Sequence, residues 1–180
     1  MAIRIEPAQF PMDSSTIHNL FCEYAVSLGI DITFQQFQDE LDSLPGKYAE
    51  SEGGALLVAW TDGPVDTKHD QNNAPAGTAV GCIALRRSSD TWSEMKRLYV
   101  LREARGTRLG AKLVEAIIAR AKDLGYHGIR LDTLANMTAA QQLYRKCGFV
   151  EIEPYYETPV EGTIFMGCEL RCQESATSHR

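Results

Sequence analysis

The sequence has no apolar run of the about 20 residues that are needed to span a bilayer. Its first ten residues, MAIRIEPAQF, lack the apolar stretch of a secretory signal. These absences predict a cytoplasmic protein, or one in both the cytoplasm and the nucleus, with no membrane partner. Hydrophobic residues make up 44% of the chain and charged residues 23%, which is the balance of an ordinary globular protein.

Paired cysteines are also missing. The five cysteines are scattered and no two form a C-x-x-C pair, so neither a zinc site nor a disulfide framework is indicated. We therefore expect no metal, and we expect free thiols that mostly fill space in the core. The cysteines are Cys22, Cys82, Cys147, Cys168 and Cys172.

An overall excess of positive charge is missing too, because the net charge is −6. General nucleic-acid binders usually show the opposite balance, so we expect no nucleic-acid partner. The charge is uneven, however. Residues 96–112 contain six basic residues and one acid, which is a local charge of +5. This concentration on an acidic chain predicts a small polyanionic ligand that binds at one place.

The length of 180 residues points to one domain, which we place at residues 3–171, followed by a polar tail over 172–180. A long solvated loop is expected over 61–77. Apolar residues at helical spacing predict helices over 13–29, 33–41, 109–124 and 138–148. Apolar runs of strand length predict strands over 3–5, 55–60, 78–85, 94–100, 129–134, 149–152 and 163–170.

Two details of this pattern predict local geometry. The helix between strands 94–100 and 129–134 forms a crossover connection, so these two strands should run parallel. Residues 138–141 read Thr-Ala-Ala-Gln, which has the form of a capping box at the start of the last helix.

The segment that follows strand 94–100 has the features of a phosphate site. The first turn of a helix has unpaired N–H groups and a partial positive charge. Small residues at 106, 110 and 111 let a ligand approach the backbone, while Arg105 and Arg108 supply charged hydrogen bonds. The spacing fits neither a Walker loop nor a Rossmann fingerprint. A helix start that is merely basic remains the alternative.

Four segments resemble the GNAT superfamily of N-acetyltransferases. Residues 105–110, Arg-Gly-Thr-Arg-Leu-Gly, are similar to its coenzyme A pyrophosphate loop, (Q/R)-x-x-G-x-(G/A), with Arg108 in place of glycine. The N–H groups of the loop can still be directed at phosphate if Arg108 is helical. Residues 94–100 and 131–136 resemble the family's central strand and the next parallel strand. Residues 140–149, Ala-Gln-Gln-Leu-Tyr-Arg-Lys-Cys-Gly-Phe, match the signature A-x-x-L-Y-x-x-x-G-F.

The resemblance implies an α/β (α+β) domain whose central mixed, mostly antiparallel sheet has two splayed parallel strands and flanking helices. It also implies acetyl-CoA as the cosubstrate, with the pantetheine arm paired to one strand and the diphosphate over the basic loop. The residues expected to bind the coenzyme are Leu98, Tyr99, Val100, Arg105, Gly106, Thr107, Arg108, Leu109, Gly110, Ala111, Asn136, Ala140 and Tyr144.

Two residues are candidates for proton transfer. An amine with a pKa near ~10 must lose a proton before or during its attack, and Glu94 is the candidate base, directly or through water. The alternative for Glu94 is an exposed acid at a strand edge. Tyr144 would donate a proton or hydrogen bond to the departing thiolate. Its alternative is an aromatic side chain that packs on the inner face of its helix.

The acceptor side is the least constrained by the sequence. Residues 153–162 are aromatic and acidic, which suits a cationic amine, although the tyrosines could equally cover the core. The expected function is acetyl transfer to a primary amine of a small molecule, with a homodimer as one option. Acetylation of a protein lysine or N-terminus, and a non-catalytic coenzyme A sensor, are the alternatives. The acceptor candidates are Tyr99, Tyr155, Tyr156, Glu157 and Glu161.

Overall fold

The computed structural model describes residues 3–30, 36–62 and 77–170, which contain four α-helices and seven strands. None of the helices in these ranges is long and apolar enough to cross a membrane. The helices are α1 (Ser14–Leu28), α2 (Phe37–Asp42), α3 (Leu109–Asp123) and α4 (Thr138–Lys146). The strands are β1 (Ile3–Pro7), β2 (Ala55–Thr61), β3 (Thr78–Arg87), β4 (Trp92–Val100), β5 (Gly128–Thr133), β6 (Val150–Glu151) and β7 (Ile164–Glu169).

The predicted strands and three of the four predicted helices are confirmed to within two residues at each end. The second predicted helix, 33–41, differs because α2 begins at Phe37. Gln36 before it has a left-handed backbone with φ 54°, which cannot continue a right-handed helix. Residues 31–35, and residues 63–76 of the predicted loop, lie outside the described residues.

The predicted capping box of α4 is wrong. Met137 is the N-cap, Thr138 is already helical, and no side chain caps the helix. Gln141 therefore lies one position too deep to reach the N-cap N–H group. Its Nε2 donates instead to the carbonyl oxygens of Leu134 at 2.9 Å and Ala135 at 3.1 Å. These bonds fix the start of α4 to the turn after β5.

All seven strands form one mixed sheet in the order β1-β2-β3-β4-β5-β7-β6. Only β4 and β5 pair in parallel among the described strands, and the other pairs are antiparallel. The predicted fold class, a mostly antiparallel sheet with one parallel pair and flanking helices, is confirmed. The last strand along the chain, β7, lies between β5 and β6 and so closes that half of the sheet.

Each face of the sheet carries its own apolar core. On one face, α3 and Tyr144 of α4 pack against alternate residues of the central strands, such as Leu57, Ile83 and Ile129. On the other face, α1 and the 3₁₀ turn at Gly46–Tyr48 pack against the residues in between, such as Val58 and Ala84. Side chains of a strand alternate between faces, so one continuous apolar run supplies both cores.

The parallel pair β4–β5 holds for only three residue pairs and then opens. The last of these joins Glu94 to Arg130, so Met95–Val100 and Leu131–Thr133 have no parallel partner across this boundary. Within β4, a bulge places two residues opposite one residue of β3, and Arg97 there has a left-handed φ of 57°. A bulge bends the strand that carries it. The two parallel strands therefore separate at mid-sheet, as the resemblance implied.

A buried ion pair holds this bulge. The guanidinium of Arg97 donates to both carboxylate oxygens of Glu40 on α2, at 2.8 Å and 3.0 Å. The hydroxyl of Tyr48 also donates to Glu40, at 2.9 Å, and the ammonium of Lys47 lies 3.2 Å from it. Burial alone would raise the pKa of Glu40, but Arg97 and Lys47 outweigh it and the pKa is lowered from 4.5.

Replacement of Glu40 by glutamine should destabilise the fold by about 3 kcal/mol at neutral pH, because Arg97 then stays buried without a counter-charge. The lowered pKa of Glu40 means that its contribution is present above 4.5 and is lost as the pH falls through the folded-state value. The difference between wild type and Glu40→Gln in urea unfolding should therefore shrink in acid.

Glu50→Gln is the matched control for that measurement. Glu50 pairs with Arg120 at 3.0 Å, but its side chain is 74% exposed. Exposed pairs contribute only ~0–1 kcal/mol, so this variant should unfold almost as wild type does. Equal losses in the two variants would mean that the buried pair does not hold α2 against β4.

Candidate active site

A cavity occupies the gap where β4 and β5 separate. Both strands line it, through Leu98 on β4 and through Leu131 to Thr133 on β5. Tyr144 of α4 reaches it from one face of the sheet, and Tyr156 reaches it from the segment before β7. Groups on opposite faces of the sheet therefore meet at this one opening.

Tyr144 has the properties of a proton donor. It is 7% exposed, packs against Phe149 with ring centroids 5.9 Å apart, and lines the cavity. Burial raises the pKa of Tyr144, and the nearby carboxylate of Asp132 adds to the rise. The phenol therefore stays protonated at neutral pH and can donate a hydrogen bond, although the raised pKa makes it a weaker acid than a free tyrosine. The side chain of Tyr144 therefore both packs on the inner face of its helix and lines the cavity.

Glu94 is not an exposed strand-edge acid, since it is only 2% exposed. Its Oε2 accepts from Arg86 Nε at 2.6 Å, and its Oε1 accepts from the hydroxyl of Tyr155 at 2.9 Å. Lys96 Nζ lies 3.8 Å from Oε1. Glu94 itself does not line the cavity, and neither does its partner Tyr155, so its contact with a reacting group would run through water.

The predicted phosphate loop forms a tight turn before α3. Gly106 and Arg108 both have left-handed backbones, with φ 80° and 64°. The Nε of Arg105 donates to the carbonyl of Val100 at 3.1 Å, and the hydroxyl of Thr107 donates to the carbonyl of Ala104 at 2.7 Å. No side chain caps α3. Its first N–H groups are thus left for a ligand, beside two exposed arginines.

Arg108 is not helical, so the condition under which the loop would tolerate this arginine is not met in that form. It is the N-cap of α3 with φ 64° and ψ 13°, and the helix begins one residue later, at Leu109. This is the backbone region that glycine adopts without strain. The loop therefore keeps the geometry that the glycine of the motif would have, and an arginine occupies it at a steric cost.

The other residues that were expected to bind the coenzyme lie on β4, α3 and α4 and in the turn before α4. Leu98 and Val100 pack with the first core, while Leu109 is buried and Ala111 half-buried on α3. A Cβ on Gly110 would lie 3.2 Å from Leu143, so glycine allows the close approach of α3 and α4. Asn136 is exposed in the turn before α4, and Ala140 is half-buried on that helix.

Only part of the predicted acceptor set reaches a cavity. Tyr156 lines the gap between the strands, and Tyr156 and Glu157 line a second cavity beside it. Tyr155 stacks against the guanidinium of Arg130, 3.9 Å from its ring centroid, and donates to Glu94. Tyr99 donates to Glu23 on α1 at 3.2 Å. Glu161 is exposed and lines neither cavity.

Comparisons with known proteins agree with this architecture. Residues 53–151 match the family profile described as acetyltransferase (GNAT) domain. An uncharacterized N-acetyltransferase of Schizosaccharomyces pombe is 37% identical over 93% of this chain and 95% of its own. The chain belongs to the GNAT family. As a GNAT acetyltransferase, it is an acyltransferase that takes its acetyl group from acetyl-CoA.

Solved GNAT structures share the fold. An acetyltransferase from Streptococcus agalactiae superposes with a TM-score of 0.71 at 21% identity, over 93% of this chain and 98% of that one. The PaiA N-acetyltransferase from Thermoplasma acidophilum, solved in complex with coenzyme A, gives 0.69 at 17% identity over 94% and 100%. At these identities the likeness concerns the fold.

One buried hydroxyl tests whether the GNAT cosubstrate fits here. The Oγ1 of Thr133 is buried and has no hydrogen-bond partner within the described part of the chain, yet Thr133 lines the gap. Ile129, Leu131 and Thr133 occupy every second position of β5 and so share one face. Because Ile129 and Leu131 belong to the first core, Thr133 lies on the Tyr144 side of the sheet. An unpaired buried hydroxyl is costly unless a ligand supplies its partner. The site therefore fits a polar ligand such as the pantetheine arm.

Sequence reasoning missed Thr133 and also the pair between Lys96 and Asp132, whose Nζ and Oδ1 are 2.9 Å apart in the gap. A signal for the pair was present. Central strands are mostly apolar, but β4 carries charges at 94 and 96 and β5 carries them at 130 and 132. Charges at alternate positions share one face, which marks a polar site on a buried sheet. In the described residues, no cluster of three His, Cys, Asp or Glu would suit a metal ion.

Arg108→Gly should raise stability and weaken coenzyme binding. Relief of the left-handed strain, ~1–2 kcal/mol, exceeds the added freedom of the unfolded chain, ~0.4–1 kcal/mol. Loss of a charged hydrogen bond should weaken acetyl-CoA binding by about 1.5 kcal/mol or more. Arg108→Ala is the control, because it loses the charge and keeps the strain. If the alanine variant gains as much in urea unfolding as the glycine variant, the strain is not real.

Thr133→Val should stabilise the free protein and weaken its binding of acetyl-CoA. The methyl group removes a buried unpaired hydroxyl, so the free protein should gain about 1 kcal/mol in unfolding free energy. Acetyl-CoA should then bind ~2–10-fold more weakly in calorimetry, which is the loss of one neutral hydrogen bond. Thr133→Ser keeps the hydroxyl and should bind as wild type. Unchanged affinity in Thr133→Val would show that the hydroxyl does not contact the coenzyme.

Proposed function

We propose that this GNAT protein transfers the acetyl group of acetyl-CoA to the primary amine of a small molecule by direct attack on the thioester. The observation that carries the proposal is the gap between β4 and β5, where a protonated, buried Tyr144 lies beside the Lys96–Asp132 pair. A small acceptor is favoured because Tyr156, Thr158 and Val160 cover the gap from the segment before β7.

The chain's own groups suit the cosubstrate. Acetyl-CoA supplies an activated acyl carbon on a thioester. The first N–H groups of α3 with Arg105 and Arg108 would hold its diphosphate, and the free edge of β4 beyond Glu94 would hold its pantetheine arm. A backbone N–H near Leu98–Val100 would donate to the carbonyl oxygen as negative charge develops there.

Proton transfer is divided between two residues in this proposal. Tyr144 donates its phenolic proton to the departing sulfur, on the face of the sheet that carries α3 and α4. Glu94 accepts the amine proton through water, on the opposite face. Asp132 is a second candidate for the base because, unlike Glu94, it lines the gap.

The function is tested by release of free coenzyme A thiol from acetyl-CoA with a panel of small amines and lysine peptides. Turnover with one or more small amines, and little with peptides, is the expected result. Coenzyme binding without turnover on any amine would support a sensor instead. Faster turnover on peptides would overturn the small-molecule assignment.

Tyr144→Phe should lower kcat by about 10²-fold, with the dissociation constant of acetyl-CoA nearly unchanged. The phenyl ring keeps the packing against Phe149 and only the hydroxyl is lost. General acid catalysis contributes about 10²–10⁴-fold, and a thiolate leaves readily, so the low end is expected. An unaltered kcat at saturating acceptor would exclude Tyr144 as the acid.

Glu94→Gln should steepen the dependence of the rate on pH. Without a base, the enzyme depends on the neutral fraction of the amine, so its rate should climb toward pH ~9, about one unit below a typical amine pKa. A melting curve checks that loss of the Arg86 contact leaves the variant folded. If Asp132→Asn changes the profile and Glu94→Gln does not, Asp132 is the base.

We also propose that the protein is cytoplasmic. The four cysteines among the described residues, Cys22, Cys82, Cys147 and Cys168, are free thiols. Free thiols suit a reducing compartment, which supports a cytoplasmic location.

A further inference from the structure

A second cavity, of about 220 Å³, lies beside the gap between β4 and β5. The two cavities share Lys96, Arg97 and Tyr156 in their walls. The second one lies on the sheet face that carries α1 and α2, opposite the face of Tyr144. It is therefore the space next to the reacting groups that an acceptor would occupy.

The walls of this second cavity are unusually cationic. Four positive side chains line it, namely Lys47, Arg86, Lys96 and Arg97. Three carboxylates pair with them: Glu40 with Arg97 and Lys47, Glu94 with Arg86, and Asp132 with Lys96. Within the described residues, the wall of the cavity itself has these four cations and two acids, Glu40 and Glu157, so its lining is more positive than negative.

Lys47 is the most exposed of these four cations. Within the described residues its ammonium pairs with Glu40, which also binds Arg97 through both oxygens. Burial lowers the pKa of Lys47, and the charges of Arg86 and Arg97 lower it further against the pull of Glu40. Its side chain is still 39% exposed, so a ligand can reach it.

The other acid of the cavity wall is Glu157. Glu157 lines the rim and is exposed, and none of the ion pairs within the described ranges includes it. On the other side, the ring of Tyr155 already stacks on Arg130, so its face is not open to a cationic ligand. The cavity thus suits an anion better than a second ammonium group.

We infer that the acceptor is an amino acid or a related amino carboxylate, whose carboxylate binds beside Lys47 and Arg86 while its amine enters the gap near Asp132 and Tyr144. The inference rests on the proposed N-acetyltransferase activity and narrows its substrate class. A carboxylate would complement the mostly cationic wall, and it accepts charge-assisted hydrogen bonds from lysine and arginine. Polyamines, which carry a second positive charge, would be repelled.

The experiment compares kcat/KM for free amino acids with that for their carboxamides and for the decarboxylated amines, by thiol release. The acid should exceed both partners by about 30-fold or more for the best side chain. The comparison is stringent, because the amine of the carboxamide is less basic and more of it is neutral at pH 7. The preferred acid should also outcompete spermidine.

Lys47→Met then assigns the preference to the cavity. This variant should raise KM for the amino acid by about 10-fold or more and change kcat/KM for the carboxamide by less than about 3-fold. Lys47→Arg keeps the positive charge and should restore the wild-type KM for the amino acid. Lys122→Met, on the exposed side of α3, is the control and should match wild type. Melting curves verify that each variant is folded.

Each outcome separates the inference from the function on which it rests. Turnover that favours carboxamides, monoamines or polyamines would overturn the carboxylate assignment and leave the acetyltransferase in place. Equal losses on acid and carboxamide in Lys47→Met would mean that Lys47 only supports the fold, which also overturns it. Absence of thiol release with every amine would remove the proposed function, and the inference with it.

Discussion

The left-handed residue in the middle of β4 is the constraint on which the site depends. Arg97 lies in a bulge, and a bulge bends its strand. The same side chain binds Glu40 of α2 through both oxygens and lies near the rings of Tyr24 and Phe37. One residue thus joins α1 and α2 to the sheet at the level where β4 and β5 have separated.

That separation lets two faces of one sheet act on the same atoms. A fully paired sheet would isolate Tyr144 and Thr133 on one face from Lys96 and Asp132 on the other. Because the parallel pairing ends at Glu94 and Arg130, both sets line one gap. An extended ligand in the gap would recover the lost backbone pairing, which is why such an opening suits a pantetheine arm. The proposed chemistry therefore depends on an incomplete strand pairing.

The charges on the sheet face that carries α1 and α2 are difficult to explain by stability alone. Buried ion pairs often contribute no more than well-packed apolar residues would, since both partners lose their hydration. Yet β3, β4 and β5 place Arg86, Glu94, Lys96 and Asp132 side by side on a face that elsewhere is apolar. Such a network holds its members in fixed positions and keeps a polar cavity open between them. Its position in the walls of the two cavities is consistent with ligand recognition.

Local patterns in the sequence determined much of this. Helical and strand spacing gave the elements, because each depends on residues only a few positions apart. The motif at 105–110 and the signature at 140–149 indicated the phosphate loop and Tyr144. Four features emerged only from the tertiary structure. They are the position of β7 between β5 and β6, the left-handed backbone of Arg108, the bonds of Gln141 to the turn after β5, and the burial of Glu94. These features depend on which distant residues meet across the sheet, and the period of a single strand or helix carries no information about its partner.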